Sequence, residues 1–113
     1  FVTDYLQANP EGLDGVWVGW DDAALGAARA ISEAGRDDIF VTGVDALGET
    51  AVEIAKNGPM YASVAQDWVK VVDDMIVLMN AYRDSATLPA ENYIPLDGQL
   101  IDRSNVATYE PTL

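Results

Sequence analysis

Ile39-Phe-Val-Thr-Gly-Val-Asp45 is the stretch on which the reading of this chain turns. Apolar, β-branched and aromatic residues run without a break and then stop at a carboxylate, the pattern of a buried strand whose last residue leaves the sheet. A similar run lies upstream, Gly15-Val-Trp-Val-Gly-Trp20-Asp21, and another downstream, Met60-Tyr-Ala-Ser-Val-Ala-Gln66-Asp67. Each is followed by a helical pattern. That alternation predicts an α/β fold, a parallel sheet flanked by helices. Ligands of such sheets sit in the crevice beyond the carboxyl ends of the strands. Here that edge offers the indole of Trp20, the carboxylate of Asp45 and the carboxamide of Gln66. The set suits a neutral polyhydroxylated ligand and suits covalent chemistry poorly.

Working outward, the first strand is expected over Leu13–Gly19, with Trp17 inside it and Trp20 at its exit. Asp21 is placed to cap a helix over Asp22–Ala34, which turns Leu25, Ala28 and Ile31 to one face and stops at Gly35. The second strand covers Asp38–Val44, and a helix follows over Glu49–Asn57, with Val52 and Ala55 facing inward. Gly58-Pro59 ends it, and the third strand spans Met60–Ala65. The longest helix, Asp67–Asp84, repeats Trp68, Val71, Val72, Met75, Ile76 and Met79 at helical spacing. Val69, Val77 and Leu78 widen that stripe beyond one flat contact, so the helix is expected to pack on more than one side. Asn92–Leu96 reads as a short extended piece, and Ser104-Asn-Val106 as the start of a final turn.

The chain has 113 residues, half of them hydrophobic, which makes it one domain or part of one and excludes a disordered tail. Neither cysteine nor histidine occurs, so disulfides, thiol chemistry and the commonest general base and transition-metal ligand are excluded. No cofactor and no metal is implied. Nineteen acidic residues against six basic ones give a formal charge of −13, which repels phosphate backbones and argues against nucleic-acid binding by this segment. Phe1–Asn9 reads as the end of a helix, which raises the expectation that the chain is a piece of a longer protein.

Each candidate residue has a plainer reading. Trp20 is either a rim residue over the helix start or a platform for the apolar face of a sugar or polyol ring. Asp21 is a helix cap first and a ligand contact second, and one oxygen for each role is compatible with both. Asp45 is the strongest candidate, because a carboxylate left at a strand end needs donors, and sugar hydroxyls supply them. Gln66 either satisfies backbone at the strand exit or pairs with a hydroxyl, since it donates and accepts at once. Asp37-Asp38 and Asp73-Asp74 are adjacent pairs whose side chains diverge, so they make no acid–base dyad. Asp97-Gly98-Gln99 lacks the oxygen ligands of a calcium loop. No phosphate-binding glycine motif and no nucleophile elbow occurs.

Taken together, Trp20-Asp-Asp-Ala-Ala-Leu-Gly26, Gly35-Arg-Asp-Asp-Ile-Phe-Val-Thr-Gly-Val-Asp45 and Tyr61-Ala-Ser-Val-Ala-Gln66-Asp67 resemble the C-terminal half of type I periplasmic binding proteins. The likeness is greatest to the ribose-binding-like solute-binding component of sugar ABC transporters and runs from about Tyr5 to Tyr109. It implies two α/β lobes closing on a ligand, with residues 1–66 belonging to the C-terminal lobe. The helix within 67–90 would pack on the N-terminal lobe, and 91–113 would hold a crossover strand, Tyr93–Leu96, and the tail. By the same resemblance Asp45 falls on the carboxylate that binds sugar hydroxyls and Gln66 on the contact at the hinge crossing. Trp20 stands where many members carry a ligand-contacting Asn, which favours a stacked ring or polyol.

The implied function is binding a sugar or polyol for an ABC transporter permease, without catalysis, in the periplasm or outside the cell, with or without a lipid anchor. The competing reading is the effector-binding domain of a sugar-responsive transcriptional repressor. A small α/β enzyme fits the topology but lacks a catalytic constellation.

Overall fold

The computed structural model describes residues 1–87 and 94–111. In chain order the elements are α1 (Val2–Ala8), β1 (Gly15–Trp17), α2 (Asp21–Glu33), β2 (Phe40–Asp45), α3 (Gly48–Ala55), β3 (Met60–Ala65), α4 (Trp68–Ser85), β4 (Gln99–Asp102) and a 3₁₀ turn at Val106–Thr108. The sheet runs β1-β2-β3-β4. The first three strands are parallel, as their helical crossovers require, with Trp17 beside Thr42 and Val44 beside Val64. β4 returns antiparallel to β3, pairing Ile101 with Ser63, so the sheet is mixed.

Three expectations change here. The first strand, expected over Leu13–Gly19, is only Gly15–Trp17. The extended piece expected at Asn92–Leu96 has its first two residues outside the described ones, and Ile94 to Gly98 forms no strand. The strand that joins the sheet is Gln99–Asp102, only four residues long and burying Ile101 alone. An edge strand of that length carries too little alternation to stand out in sequence. In α3 the inward face also differs from expectation, since Thr50 and Ile54 are buried whereas Val52 and Ala55 are exposed. The observed helix begins at Gly48 and is only eight residues long, and over two turns several apolar stripes fit the same spacing.

The core lies on the helix-bearing side of the sheet, where Ile31, Ile39, Val41, Ile54, Met60 and Ile101 are fully buried among Ala24, Ala27 and Ala28. These alanines let α2 lie close to β2. At Gly43 a Cβ would overlap Asp21 Oδ1 and press on Ala24 and Met60, so only glycine allows that approach. α2 ends where the sequence predicts: Gly35 takes φ 69, its N–H bonds Ser32 O, and Arg36 N–H bonds Ile31 O, the left-handed ending that glycine tolerates. On the far face Phe40 meets Tyr61 edge-on at 6.2 Å and Arg103 lies 5.0 Å over the Tyr61 ring. α4 differs from the other long helix, because none of its residues is buried. Asp67 caps it by accepting from Lys70 N–H at 2.9 Å.

Candidate ligand-binding edge

β1, β2 and β3 run the same way, so their carboxyl ends deliver Trp20, Asp45 and Gln66 to one edge of the sheet. Trp20 has extended backbone, φ −157 and ψ 153, and occupies the position before the first turn of α2, the residue being 58% exposed. At the centre of the edge, Gln66 Nε2 donates to Asp45 Oδ1 at 2.7 Å, and both side chains are half-buried. Asp45 Oδ2 has no hydrogen-bond partner among the described residues. The carboxylate therefore has one oxygen held by Gln66 and one without a partner among the described residues.

The backbone that carries Asp45 is unusual. Asp45 has φ 113 and Ala46 φ 48, and each such non-glycine residue costs on the order of 1–3 kcal/mol and persists only where its surroundings impose the shape. The surroundings do so here. Ala46 N–H donates to Ser63 Oγ at 3.0 Å, and Ala46 O accepts from Tyr109 Oη at 3.0 Å. Leu47 N–H donates to Asp21 Oδ2 at 3.0 Å, and Ser63 Oγ donates to Asp21 Oδ1 at 2.7 Å.

Asp21 thus corrects its expected role. The residue at the helix start is Trp20, with no side-chain cap, and Asp21 is the first helical residue, fully buried. Its oxygens go to β3 and to the β2–α3 loop, not to its own helix and not to the crevice. Sequence cannot separate these cases, since an acidic residue before a helical pattern reads as a cap whether it turns back on the helix or away from it. The negative end it adds at the α2 N-terminus is favourable in either case.

Sequence reading misses Ser63 and Tyr109. Ser63 leaves one trace, a hydroxyl between Ala62 and Val64 on a strand that is otherwise buried. Tyr109 leaves none, because it reaches Ala46 from the far end of the chain. Burial first, and then the charge of Asp21, holds the Tyr109 phenol above its ordinary pKa, so it stays a donor. Beside Gln66 an open concavity of about 670 Å³ is lined by Asp67, Asp97, Gln99, Asn105 and Tyr109. Among the described residues there is no cluster of three or more acidic, histidine or cysteine side chains able to hold a metal ion.

A sheet whose first three strands are parallel and joined by helices, with an antiparallel strand at one edge, defines the open-sheet α/β class. Within that class the chain belongs to the periplasmic binding protein domain family, which matches residues 1–86. The D-apiose import binding protein of Actinobacillus succinogenes is 34% identical over 100 residues, 88% of this chain and 32% of that protein. The ribose import binding protein of Salmonella typhimurium is 39% identical over 67 residues, 58% of this chain and 21% of its own. Among solved structures, an ABC transporter solute binding protein from Agrobacterium vitis with bound allitol superposes with TM-score 0.79 at 32% identity, covering 94% of this chain and 37% of that one. The Caulobacter myo-inositol binding protein bound to myo-inositol superposes with TM-score 0.76 at 26% identity, over 94% of this chain and 36% of its own. The resemblance seen in sequence is borne out, and the chain spans about a third or less of the length of these relatives.

Proposed function

We propose that this chain is the part of an ABC-importer solute-binding protein that supplies one wall of the ligand cleft, and that the ligand is a neutral sugar or polyol. The observation that carries the reading is the Asp45–Gln66 pair, half-open at the carboxyl edge of the parallel strands. The outer oxygen of Asp45 accepts from a ligand hydroxyl, and bonds to an ionised acceptor are roughly twice as strong as neutral ones. Gln66, already donating to Asp45, keeps its carbonyl oxygen for a second hydroxyl. Trp20 lays its exposed indole against the apolar face of the ring or chain. The relatives' names point the same way, since apiose, ribose, allitol and myo-inositol are all neutral and rich in hydroxyls.

The second lobe is the natural cover for the apolar side of α4, and the cleft closes between the two. The protein works in the periplasm or at the outer cell surface, passing its ligand to a membrane permease. A formal charge of −13 disfavours the repressor reading, in which the protein is held on DNA. Titration calorimetry of the full-length protein with D-ribose, D-apiose, allitol and myo-inositol tests the proposal. Saturable binding of at least one, with the ligand recovered unchanged, is expected. Conversion of the ligand to a product, or no binding to any of them, rejects it.

A further inference from the structure

We propose that Asp21, Ser63 and Tyr109 form an internal clamp on residues 45–47, and that all three are positioning residues which aim the Asp45 carboxylate at the ligand. The role of Asp45 in this statement rests on the sugar-binding reading. The clamp itself is read from geometry alone.

Asp21 is the one fully buried ionisable side chain among the described residues. A cap would bond amides of its own helix, but both Asp21 oxygens reach across the fold, to Leu47 and Ser63, 26 and 42 positions away. An ionised carboxylate only accepts, so it turns the Ser63 hydroxyl proton toward itself and leaves that oxygen's lone pairs for Ala46 N–H. Tyr109 takes the carbonyl of the same residue. Both backbone groups of Ala46 and the N–H of Leu47 are therefore fixed, immediately after the residue whose side chain faces Gln66. Holding Ala46 N–H sets the plane of the peptide that joins Asp45 to Ala46, and with it the direction from which the Asp45 side chain leaves the strand. Gly43 keeps the space for this arrangement open, since a Cβ there would overlap Asp21 Oδ1.

The test uses full-length protein with Ser63→Ala, Tyr109→Phe, Ser63→Thr and Asp45→Asn. Two readouts are taken, amide hydrogen exchange at Ala46 and Leu47 and affinity for D-ribose, D-apiose and allitol. Ser63→Ala should speed exchange at Ala46 and Leu47 at least tenfold, leave Val41 in the strand core unchanged, and weaken binding about tenfold or more. Tyr109→Phe, which removes only the hydroxyl, should do the same to a smaller degree, and Ser63→Thr should restore both readouts. Asp45→Asn should weaken binding while exchange at Ala46 and Leu47 stays as in wild type, which separates a contact from a positioning group. If wild type binds none of the three ligands, the sugar reading falls and exchange alone decides the clamp. Unchanged protection at Ala46 and Leu47 in both Ser63→Ala and Tyr109→Phe overturns the clamp. Lost protection with undiminished affinity overturns the positioning role.

Discussion

A half-buried carboxylate at a strand end, bonded to one carboxamide, differs from a fully buried structural carboxylate in what its removal costs. For Asp45 the protein satisfies one oxygen through Gln66, and in the function proposed above the other accepts from a ligand hydroxyl. Asp45→Asn keeps the shape, removes the charge and replaces an acceptor with a donor. Because hydrogen bonds to charged groups contribute about 1.5–3 kcal/mol each, affinity should fall by roughly 2–4 kcal/mol, some thirty- to a thousandfold. Trp20→Ala should cost less, about 1–3 kcal/mol, and unequally among ligands with different apolar faces. Calorimetry on full-length variants measures both, and wild-type affinity in Asp45→Asn would make the carboxylate structural. Tyr109 adds a pH dependence. Its pKa is raised in the fold, so its contribution is complete below the ordinary phenol value of about 10 and is lost as pH rises through the higher folded value. The difference in denaturation midpoint between wild type and Tyr109→Phe should be constant from pH 7 to 9 and shrink above it. Of these residues, Asp45 and Gln66 are placed at the sheet edge by long apolar runs visible in sequence, whereas Trp20 lies beyond the end of β1 and next to the start of α2. Ser63 and Tyr109 are not legible, because nothing local marks a partner dozens of residues away.

At the scale of elements, legibility followed length and burial. β3 matches its expected span to the residue and β2 nearly so, because both are long apolar runs bounded by helices and turns. β4 escaped because it lies at an edge and buries only Ile101. α3 is legible in the sequence but its inward face is not, since two turns do not determine a stripe. The close packing of α2 against β2 makes a sharp prediction. Gly43→Ala should destabilise the protein by about 2–4 kcal/mol, from overpacking plus disturbance of a buried hydrogen-bonded carboxylate. Gly26→Ala is the matching control, because a Cβ at Gly26 meets nothing within 4 Å. It should be neutral or slightly stabilising, as alanine in a helix interior is favoured over glycine. Urea denaturation of the two variants checks the contrast, and equal midpoints would mean that the α2–β2 contact is looser than the structure has it.

At the scale of the whole molecule, α4 is the element whose chemistry and surroundings disagree. It has 18 residues and none is buried, while Val69, Val77 and Met79 are each more than 60% exposed. A helix of this length is barely stable alone in water and owes its persistence to packing of its apolar face. Fully burying one such side chain contributes roughly 1.5–3 kcal/mol, so a stripe of this width left in water would forgo several times that. The chain spans about a third of the solved structures it superposes on, which leaves ample protein to cover the stripe, and we propose that the opposite lobe covers it. The prediction that follows runs against the exposure seen here. In the full-length protein Met75→Asp and Met79→Asp should each destabilise by about 2–4 kcal/mol, the cost of losing buried apolar contact and placing a charge in its stead. Asp73→Ala, on a polar position of the same helix, should change stability by less than about 0.5 kcal/mol. Denaturation followed separately from each lobe would then show the Met75 and Met79 changes loosening the lobe that receives α4, not the β1–β3 sheet. If both aspartate variants melt like wild type, α4 lies in water in the complete protein and the two-lobed arrangement is wrong for this helix.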